Sequence, residues 1–327
     1  MSTQKQFVRP LFIFSISRTG STLLQRILGA HEAIATSSEP WILLPLLGPL
    51  KKNIRPLGRW HRLAATGVEE FSRGLEGGQP AFRRELVNTA LRLYQDATPG
   101  GERYFLDKTP PYLYIVEEII QLFDTARFVF LWRNPVSVIA SCVETWEGGN
   151  WRMGNYRGDL FDGLPILARA YQSHHDRVFS IRYEDFVSGD PAALRRLFVY
   201  LGIEWDPAVL SSFQEVKLSG PLGDRMGTAR YAELSDAPLH KWRETICNPV
   251  RRAWCDRYLR WLGHERLAIM GYDEDVLLRD LQSVPMSAHK IGPDIEDLGV
   301  LALREILRAR GEERLAPSSW RRLLAPN

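Results

Sequence analysis

Short apolar runs, each followed by a segment with helical spacing, restrict the fold of this chain more than any other feature. The runs LFIFSI (11–16), RFVFLW (127–132) and VFSIRY (178–183) have the length and composition of β-strands. Continuous apolar runs are typical of strands buried on both faces, and the segments between them repeat apolar residues at helical spacing. The alternation predicts an α/β fold with a central parallel sheet flanked by helices.

The remaining segments are expected to extend this one unit. At 327 residues the chain is long enough for two domains, but we predict a single α/β domain over 1–272. Within it, 41–100 has helical patterns and is predicted to be a helical insertion. Residues 147–165, rich in glycine and aromatic side chains, predict an irregular loop that could act as a lid. Beyond them, 273–327 is predicted to be a C-terminal helical appendage.

Composition narrows the class of protein. The formal net charge of +3 is too small to indicate a nucleic-acid surface. Cys142, Cys247 and Cys255 show no CxxC spacing, which argues against a disulfide framework and a zinc site. No run approaches the roughly 18 apolar residues of a membrane span, and no cleavage-site pattern follows the N-terminus. We therefore expect a cytoplasmic protein without a metal, a membrane span or a nucleic-acid partner, while its oligomeric state stays open.

The turn SRTGSTLL (17–24) joins the first predicted strand to a helix. Backbone N–H groups at a helix start are unpaired and lie at the positive end of the helix dipole, so such a turn attracts phosphate or sulfate. Gly20 lets a ligand approach the backbone, Ser21 and Thr22 add hydroxyl donors, and a guanidinium comes from Arg18. The lysine and second glycine of a nucleotide-triphosphatase P-loop are missing, which disfavours magnesium triphosphate. The alternative is that Ser21 only caps a helix.

A second candidate anion site follows the predicted strand 127–132. Arg133 leaves the carboxyl end of this strand, and Ser141 lies about two turns into the helix that Asn134 and Pro135 begin. Both side chains can face one ligand at the same edge of the sheet. The alternative is a solvated arginine and a small serine on a helix face.

Taken together, these motifs resemble the sulfotransferases that use 3′-phosphoadenosine 5′-phosphosulfate (PAPS). RTGSTLL is similar to the family's 5′-phosphosulfate loop, WRNPVSVIAS to its 3′-phosphate element, IRYEDF to its Tyr-Glu-Asp segment and HKWRE to its late Lys-Trp element. The matches follow the family's order over roughly residues 10–245 and imply a P-loop-like central sheet. The resemblance implies Arg18, Thr19, Gly20, Ser21 and Thr22 at the 5′-phosphosulfate, Arg133 and Ser141 at the 3′-phosphate, and Tyr183 near the nucleotide.

Sulfuryl transfer needs neutralisation of charge on the leaving phosphate and a base for the acceptor's proton. Lys108, in LDKTPP, could place its ammonium at the oxygen between sulfate and phosphate, with Arg18 sharing that charge. The alternative for Lys108 is a surface lysine before a turn. Glu39 resembles in position the catalytic glutamate of the tyrosylprotein sulfotransferases, and a glutamate there could deprotonate a hydroxyl. His31 is the competing base, although its place at a helix end is typical of a cap.

Two departures limit what the resemblance implies. The tyrosylprotein enzymes have a second glutamate where this chain has Ser38, and a serine-containing segment where it has PLGDRMGTAR (221–230). The acceptor is therefore expected to be a hydroxyl of a small molecule, lipid or carbohydrate rather than protein tyrosine. Asp224 and Arg225 could belong to the nucleotide side of the site.

Three functions follow from these patterns. The first is a metal-independent sulfotransferase that would convert PAPS to 3′,5′-adenosine bisphosphate. The second is a nucleotide kinase or triphosphatase, although Arg133 stands at the strand end where an acidic magnesium ligand would be expected. The third is a non-catalytic binder of adenosine bisphosphate. Aromatic residues of the insertion and the loop suggest apolar or ring-shaped surfaces for the acceptor; they are Trp41, Trp146, Trp151, Tyr156 and Phe161.

Overall fold

A five-stranded parallel sheet forms the centre of the computed structural model, which describes residues 7–54, 57–98, 100–188, 190–218 and 234–299. Its strands are β1 (Arg9–Phe14), β2 (Ile34–Thr36), β3 (Tyr104–Asp107), β4 (Arg127–Trp132) and β5 (Val178–Arg182). They lie in the order β2-β3-β1-β4-β5, and every pair is parallel. The chain runs from β1 towards one edge and later crosses to β4 on the other side. The carboxyl end of β1 is therefore a switch point, where open α/β sheets bind ligands.

Helices connect the strands and cover both faces of the sheet, as predicted. The helices up to β5 are α1 (Ser21–Gly29), α2 (Leu43–Leu47), α3 (Gly58–Arg73), α4 (Gly78–Asp96), α5 (Val116–Leu122), α6 (Pro135–Trp146) and α7 (Leu164–Ser173). After β5 follow α8 (Tyr183–Val187), α9 (Ala192–Leu201), α10 (Val209–Ser212), α11 (Ala237–His240), α12 (Trp242–Thr245), α13 (Pro249–Ile269) and α14 (Glu274–Gln282). Residues 291–299 are also helical. Short 3₁₀-helices are Gly48–Leu50, Pro110–Ile115, Met153–Tyr156 and Phe213–Glu215, and Gly158–Gly163 is a π-helix.

The central strands bury both of their faces. Leu11 and Ile13 of β1 contribute to one core together with α1 and α9. Phe12 and Phe14 contribute to the other core, and the Phe12 ring stacks on Phe128 of β4 with 5.9 Å between ring centroids. A strand between two apolar cores needs no polar face, which explains why these segments read as continuous apolar runs.

The three predicted apolar strands are present, β4 with the predicted ends and β1 and β5 with shifted ends. β1 begins at Arg9 and ends at Phe14, so that Ser15 and Ile16 belong to the turn after it. β5 ends at Arg182, and Tyr183 is the first residue of α8. The short edge strand β2 contains only three residues, too few for a period to indicate it.

Residues 147–165 differ from the predicted irregular loop. They contain the 3₁₀-helix Met153–Tyr156 and the π-helix Gly158–Gly163, which leads into α7. Trp151 is fully buried and meets Trp254 of α13 edge to face, with 5.7 Å between ring centroids. The segment is thus fastened to a helix about a hundred residues later in the chain, a contact that no local periodicity reveals.

The first part of the C-terminal appendage packs into the main core. Leu277 and Leu281 of α14 are buried in the same core as Phe12. Arg251 of α13 and Asp294 form a buried ion pair, with 2.6 Å between Nε and Oδ2. Residues 221–230, with Asp224 and Arg225, lie outside the described residues, as does the predicted appendage beyond residue 299. Within the described ranges, no helix combines the length and the apolar character needed to cross a bilayer.

Candidate functional site

The turn between β1 and α1 has the backbone of an anion cradle. Arg18 and Gly20 have φ angles of 65° and 90°, in the left-handed region. Gly20 precedes the helix without a capping side chain, and the first helical bond runs from the Leu24 N–H to the Gly20 carbonyl. The N–H groups ahead of Leu24 therefore lack intrahelical partners, which is the arrangement that binds anions.

Glycine is needed at position 20 because of a close neighbouring side chain as well as because of the left-handed backbone. A Cβ atom at this position would lie 2.3 Å from Cδ2 of Tyr183, the first residue of α8. The fully buried Tyr183 ring thus covers the turn. The structure brings Tyr183 to the predicted anion loop, although the two are far apart in the sequence.

Within the turn, the hydroxyls have different partners. The buried Thr19 donates its hydroxyl to the Ile16 carbonyl at 2.9 Å, so its side chain holds the turn itself. Ser21 and Thr22 are buried in the first turn of α1. The Ser17 N–H donates to Oδ2 of Asp159, in the π-helix, at 3.1 Å. Burial raises the pKa of Asp159 above its ordinary value. No feature of the sequence indicated that Asp159 would anchor the loop.

Arg18 joins the two predicted anion sites. Its Nε donates to Oγ of Ser141 at 3.2 Å, and its Nη2 donates to Oγ1 of Thr145 at 3.3 Å, both on α6. The guanidinium also lies 5.4 Å from the centre of the Trp146 ring, which is 49% exposed. Ser141 and Arg18 are therefore direct neighbours, and Thr145 and Trp146 extend the site beyond the predicted residues.

Arg133 lies at the carboxyl end of β4, beside the same turn. Its Nη1 donates to the Arg18 carbonyl at 3.0 Å, and its Nη2 donates to the Pro238 carbonyl at 3.3 Å. The guanidinium carbon stands 4.3 Å from the centre of the Tyr183 ring. The arginine is only 7% exposed, and its Nε has no hydrogen-bond acceptor among the described residues. A buried, unsatisfied donor of this kind is costly and suits an anionic ligand.

Glu184, next to Tyr183, secures the geometry of this strand end. Its Oε1 accepts the Asn134 N–H at 2.9 Å, and its Oε2 accepts the Tyr272 hydroxyl at 2.6 Å. Asn134 in turn caps α6 by accepting the Val136 N–H. Two residues of the Tyr-Glu-Asp segment therefore serve the site: Glu184 holds Asn134, which follows Arg133, and Tyr183 covers Gly20.

Lys108 and Glu39 form an ion pair beside the turn. Lys108 is only 2% exposed, and its Nζ lies 2.8 Å from Oε1 of Glu39 and 3.4 Å from Oγ1 of Thr22. The other carboxylate oxygen of Glu39 accepts the Trp41 indole N–H at 3.2 Å. A buried ammonium thus connects the candidate anion loop with a carboxylate that is still partly accessible, at 13% exposure.

The carboxylate of Asp107, next to Lys108, is bound inside the protein. It accepts the hydroxyls of Tyr94 at 2.7 Å, Thr109 at 2.9 Å and Tyr112 at 3.1 Å. Complete burial raises the pKa of Asp107 to about 6, against the lowering effect of these hydrogen bonds. The Tyr112 hydroxyl also accepts the Leu43 N–H, so Asp107 ties the loop of Lys108 to the segment after Trp41.

His31 lies apart from these groups. It follows the C-terminal end of α1, a nine-residue helix that begins at the anion turn, so about 13 Å of helix separates them. Its Nδ1 accepts the Ala33 N–H at 3.1 Å, and its ring meets Phe198 edge to face. The structure assembles Lys108, Glu39 and the predicted residues of the two anion sites around one turn and leaves His31 at the opposite end of the helix.

Of the five predicted acceptor-side aromatics, Trp41 and Trp146 lie beside the site. Trp151 and Tyr156 are buried, and Phe161 packs against Trp254 and Trp261. Trp151 and Phe161 thus pack the 147–165 segment against α13, whereas Tyr156 stacks on Trp146 with 5.5 Å between ring centroids. Among the described residues, no three His, Cys, Asp or Glu side chains group closely enough to hold a metal ion.

The chain is similar in sequence to known proteins. Residues 10–207 match the model of the sulfotransferase family. The nodulation protein NoeE of Sinorhizobium fredii (strain NBRC 101917 / NGR234) is 26% identical over 293 residues, which cover 81% of this chain and 66% of that protein. Protein-tyrosine sulfotransferase 1 of Danio rerio is 24% identical over 210 residues, covering 61% and 55% respectively.

One solved structure is also among the proteins to which this chain is similar. The sulfotransferase domain from the curacin biosynthetic pathway is 21% identical, with a TM-score of 0.48 over 79% of this chain and 98% of that one. The chain spans about one third to two thirds of the length of the curated relatives it matches. Because the family match covers more than half of the 327 residues, the chain belongs to the sulfotransferase family.

Proposed function

We propose that this protein transfers a sulfuryl group from PAPS to a hydroxyl of an acceptor molecule. The observation that carries the proposal is the position of Lys108, whose ammonium lies between Thr22 of the anion turn and Glu39. One buried cation thus contacts both the turn suited to a sulfate or phosphate group and the carboxylate suited to a proton transfer.

The residues around the turn fit a nucleotide that carries negative charge at two ends. Unpaired N–H groups at the start of α1 suit the 5′-phosphosulfate. The unsatisfied Nε of Arg133 and the hydroxyl of Ser141 suit the 3′-phosphate. Arg18 donates a hydrogen bond to Ser141, and its backbone carbonyl accepts one from Arg133. Arg18 therefore lies between the two candidate sites. This arrangement supports a single bis-anionic ligand.

The chemistry follows from Glu39 and Lys108. Glu39 accepts the proton of the acceptor hydroxyl while that oxygen forms its bond to sulfur. The bond between sulfur and the bridging oxygen breaks, and this oxygen leaves with the phosphate as 3′,5′-adenosine bisphosphate. Lys108, with Arg18, offsets the charge that develops on the leaving phosphate. Trp41 orients Glu39 through its indole N–H.

Glu39 is our proposed base in preference to His31 because of position. Glu39 contacts Lys108 directly, whereas the accepting nitrogen of His31 is occupied by the Ala33 N–H beyond the far end of α1. The acceptor is proposed to be a small molecule, lipid or carbohydrate hydroxyl. A magnesium-dependent kinase is disfavoured by Arg133, since a cation stands where an acidic metal ligand would be expected.

The proposal is tested by donor binding and transfer together. Calorimetry should detect binding of 3′,5′-adenosine bisphosphate, and ³⁵S-labelled PAPS should yield labelled product with a panel of hydroxyl acceptors. Lys108→Met should remove transfer, because it deletes the charge at the leaving group while keeping a similar side-chain length. Lys52→Met, at an exposed lysine, is the matched control. Absence of bisphosphate binding by the wild-type protein would contradict the proposal, as would transfer that requires magnesium.

A further inference from the structure

Helix α3 of the insertion presents apolar side chains to solvent. Trp60 is 80% exposed, Leu63 49% and Phe71 64%. Their spacings of three and eight residues place them on one side of a helix with 3.6 residues per turn. The side that α3 buries is a different one, which carries Ala65 and Ser72. The exposed apolar face is therefore additional to the face that packs on the protein, and such faces mark interaction sites.

Positive charge accompanies this apolar face. Residues 51–96 contain nine lysines and arginines against five aspartates and glutamates, a net charge of +4, whereas the whole chain carries +3. On α3 itself, Arg59, Arg62 and Arg73 are exposed. At 100° per residue these arginines lie together on a third side of the helix, flanking the apolar one. Glu69 pairs with Arg73 and Lys52, and it is included in the net charge.

Charge distinguishes between the partners that could cover this face. A second copy of the chain docked through the same face would bring an equally positive surface, and like charges repel. Residues 300–327 contain six arginines and three glutamates, so this part of the same chain is positive as well. An anionic lipid surface has the opposite charge and an apolar interior for large side chains. Helices with Trp, Leu and Phe on one side and arginines beside them are typical of proteins that lie in a membrane interface.

We propose that α3 docks the protein onto an anionic lipid bilayer. Trp60, Leu63 and Phe71 enter the boundary between headgroups and acyl chains, and Arg59 and Arg62 bind headgroup phosphates. The 16 residues of α3 give a contact about 24 Å long. This proposal concerns a surface of the insertion and does not depend on the reaction proposed for the site.

Vesicle co-sedimentation of the full-length chain tests the proposal. The wild-type protein should bind vesicles containing about one quarter phosphatidylglycerol in phosphatidylcholine and bind pure phosphatidylcholine much less. The double variant Trp60→Ser/Phe71→Ser should lower the partition coefficient at least about tenfold. Val199→Ser is the matched control, because Val199 of α9 is also 80% exposed and lies outside the insertion. Arg59→Gln/Arg62→Gln should reduce both the binding and its sensitivity to salt.

Three outcomes would overturn the proposal. The first is absence of binding to the phosphatidylglycerol vesicles by the wild-type protein. The second is equal binding by the wild-type protein and a Trp60→Ser/Phe71→Ser variant whose circular dichroism and melting temperature are unchanged. The third, by light scattering, is a wild-type dimer that the same variant converts to a monomer, since it would assign the face to a second copy of this chain.

Discussion

The guanidinium of Arg133 stacks on the ring of Tyr183, with 4.3 Å between its central carbon and the ring centre. The edge of the same ring covers Gly20. One aromatic side chain therefore sets the distance between the turn after β1 and the arginine after β4. Because the two proposed phosphate sites depend on that distance, packing of the Tyr183 ring is expected to control nucleotide affinity.

Gly20→Ala should destabilise the protein by about 2 kcal/mol or more, because a left-handed backbone and a clash with Tyr183 act together. Gly101→Ala is the control, since Gly101 has a φ of 88° and no atom within 4 Å of the added Cβ. Its expected cost is about 1 kcal/mol from the backbone alone. Urea denaturation of the three proteins measures both values. Equal losses of unfolding free energy in the two variants would show that the Tyr183 ring does not clash with a Cβ atom at position 20.

Arg133→Ala should weaken binding of 3′,5′-adenosine bisphosphate by about 1.5–3 kcal/mol, the range for hydrogen bonds to charged groups. Arg133→Lys should recover only part of that loss, because an ammonium lacks the planar donors of a guanidinium. Arg196→Ala, at an exposed arginine of α9, controls for net charge. Calorimetry at fixed ionic strength gives the three affinities. Unchanged binding by Arg133→Ala would remove the proposed 3′-phosphate site.

Glu39→Gln should reduce turnover about 10²–10⁴-fold while affinity for the bisphosphate stays near the wild-type value. The amide keeps the shape of the side chain but cannot take a proton from the acceptor. Glu32→Gln is the control, since Glu32 is an exposed carboxylate in the neighbouring turn. Steady-state transfer assays at saturating PAPS distinguish the variants. A fully active Glu39→Gln enzyme would place the base elsewhere, and a protein that binds nucleotide without any transfer would be the non-catalytic binder.

Asp107 should make stability depend on pH. Burial raises its pKa from 3.8 to about 6, so the folded state holds this proton more tightly than the unfolded chain does. Stability from this group is therefore present at low pH and is lost as the pH rises from about 4 through about 6. The expected loss is about 2 kcal/mol between about pH 4.5 and about pH 7.5.

Asp107→Asn removes this titration and provides the comparison. Guanidinium denaturation of both proteins at each pH gives the difference in free energy of unfolding. The difference between the two proteins should change by about 2 kcal/mol between about pH 4.5 and about pH 7.5, whatever the overall stability of the variant. A constant difference would mean that the Asp107 carboxylate titrates normally despite its burial.

Much of the sheet could be predicted because its strands lie between two apolar cores. β1 and β4 carry no polar alternation, so length and composition identify them. β2, with three residues at the sheet edge, gives no such signal. The 147–165 segment gives no sequence signal either, since a π-helix has no familiar period. Its Trp151 packs against Trp254, about a hundred residues later, and local sequence does not reveal such a contact.

The site could be predicted only where its residues adjoin strand ends. Arg18, Lys108 and Arg133 all follow a strand, and parallel strands bring such positions to one edge. Asp159 and Thr145 contact the turn from more than a hundred residues away, in helices whose orientation the sequence does not reveal. In the sequence, Asp107 looks like an ordinary ion-pair partner for Lys108. The structure shows instead that its carboxylate is buried and accepts hydrogen bonds from two tyrosines and a threonine.

The hydrogen bond from the Ser17 N–H to Asp159 has a consequence for exchanging parts between related enzymes. A chimaera that replaced residues 147–165 with those of a relative would also remove the carboxylate that holds the turn after β1. Grafts that retain an aspartate at position 159 should therefore keep donor affinity, whereas grafts without it should lose donor affinity before any change in specificity can be measured.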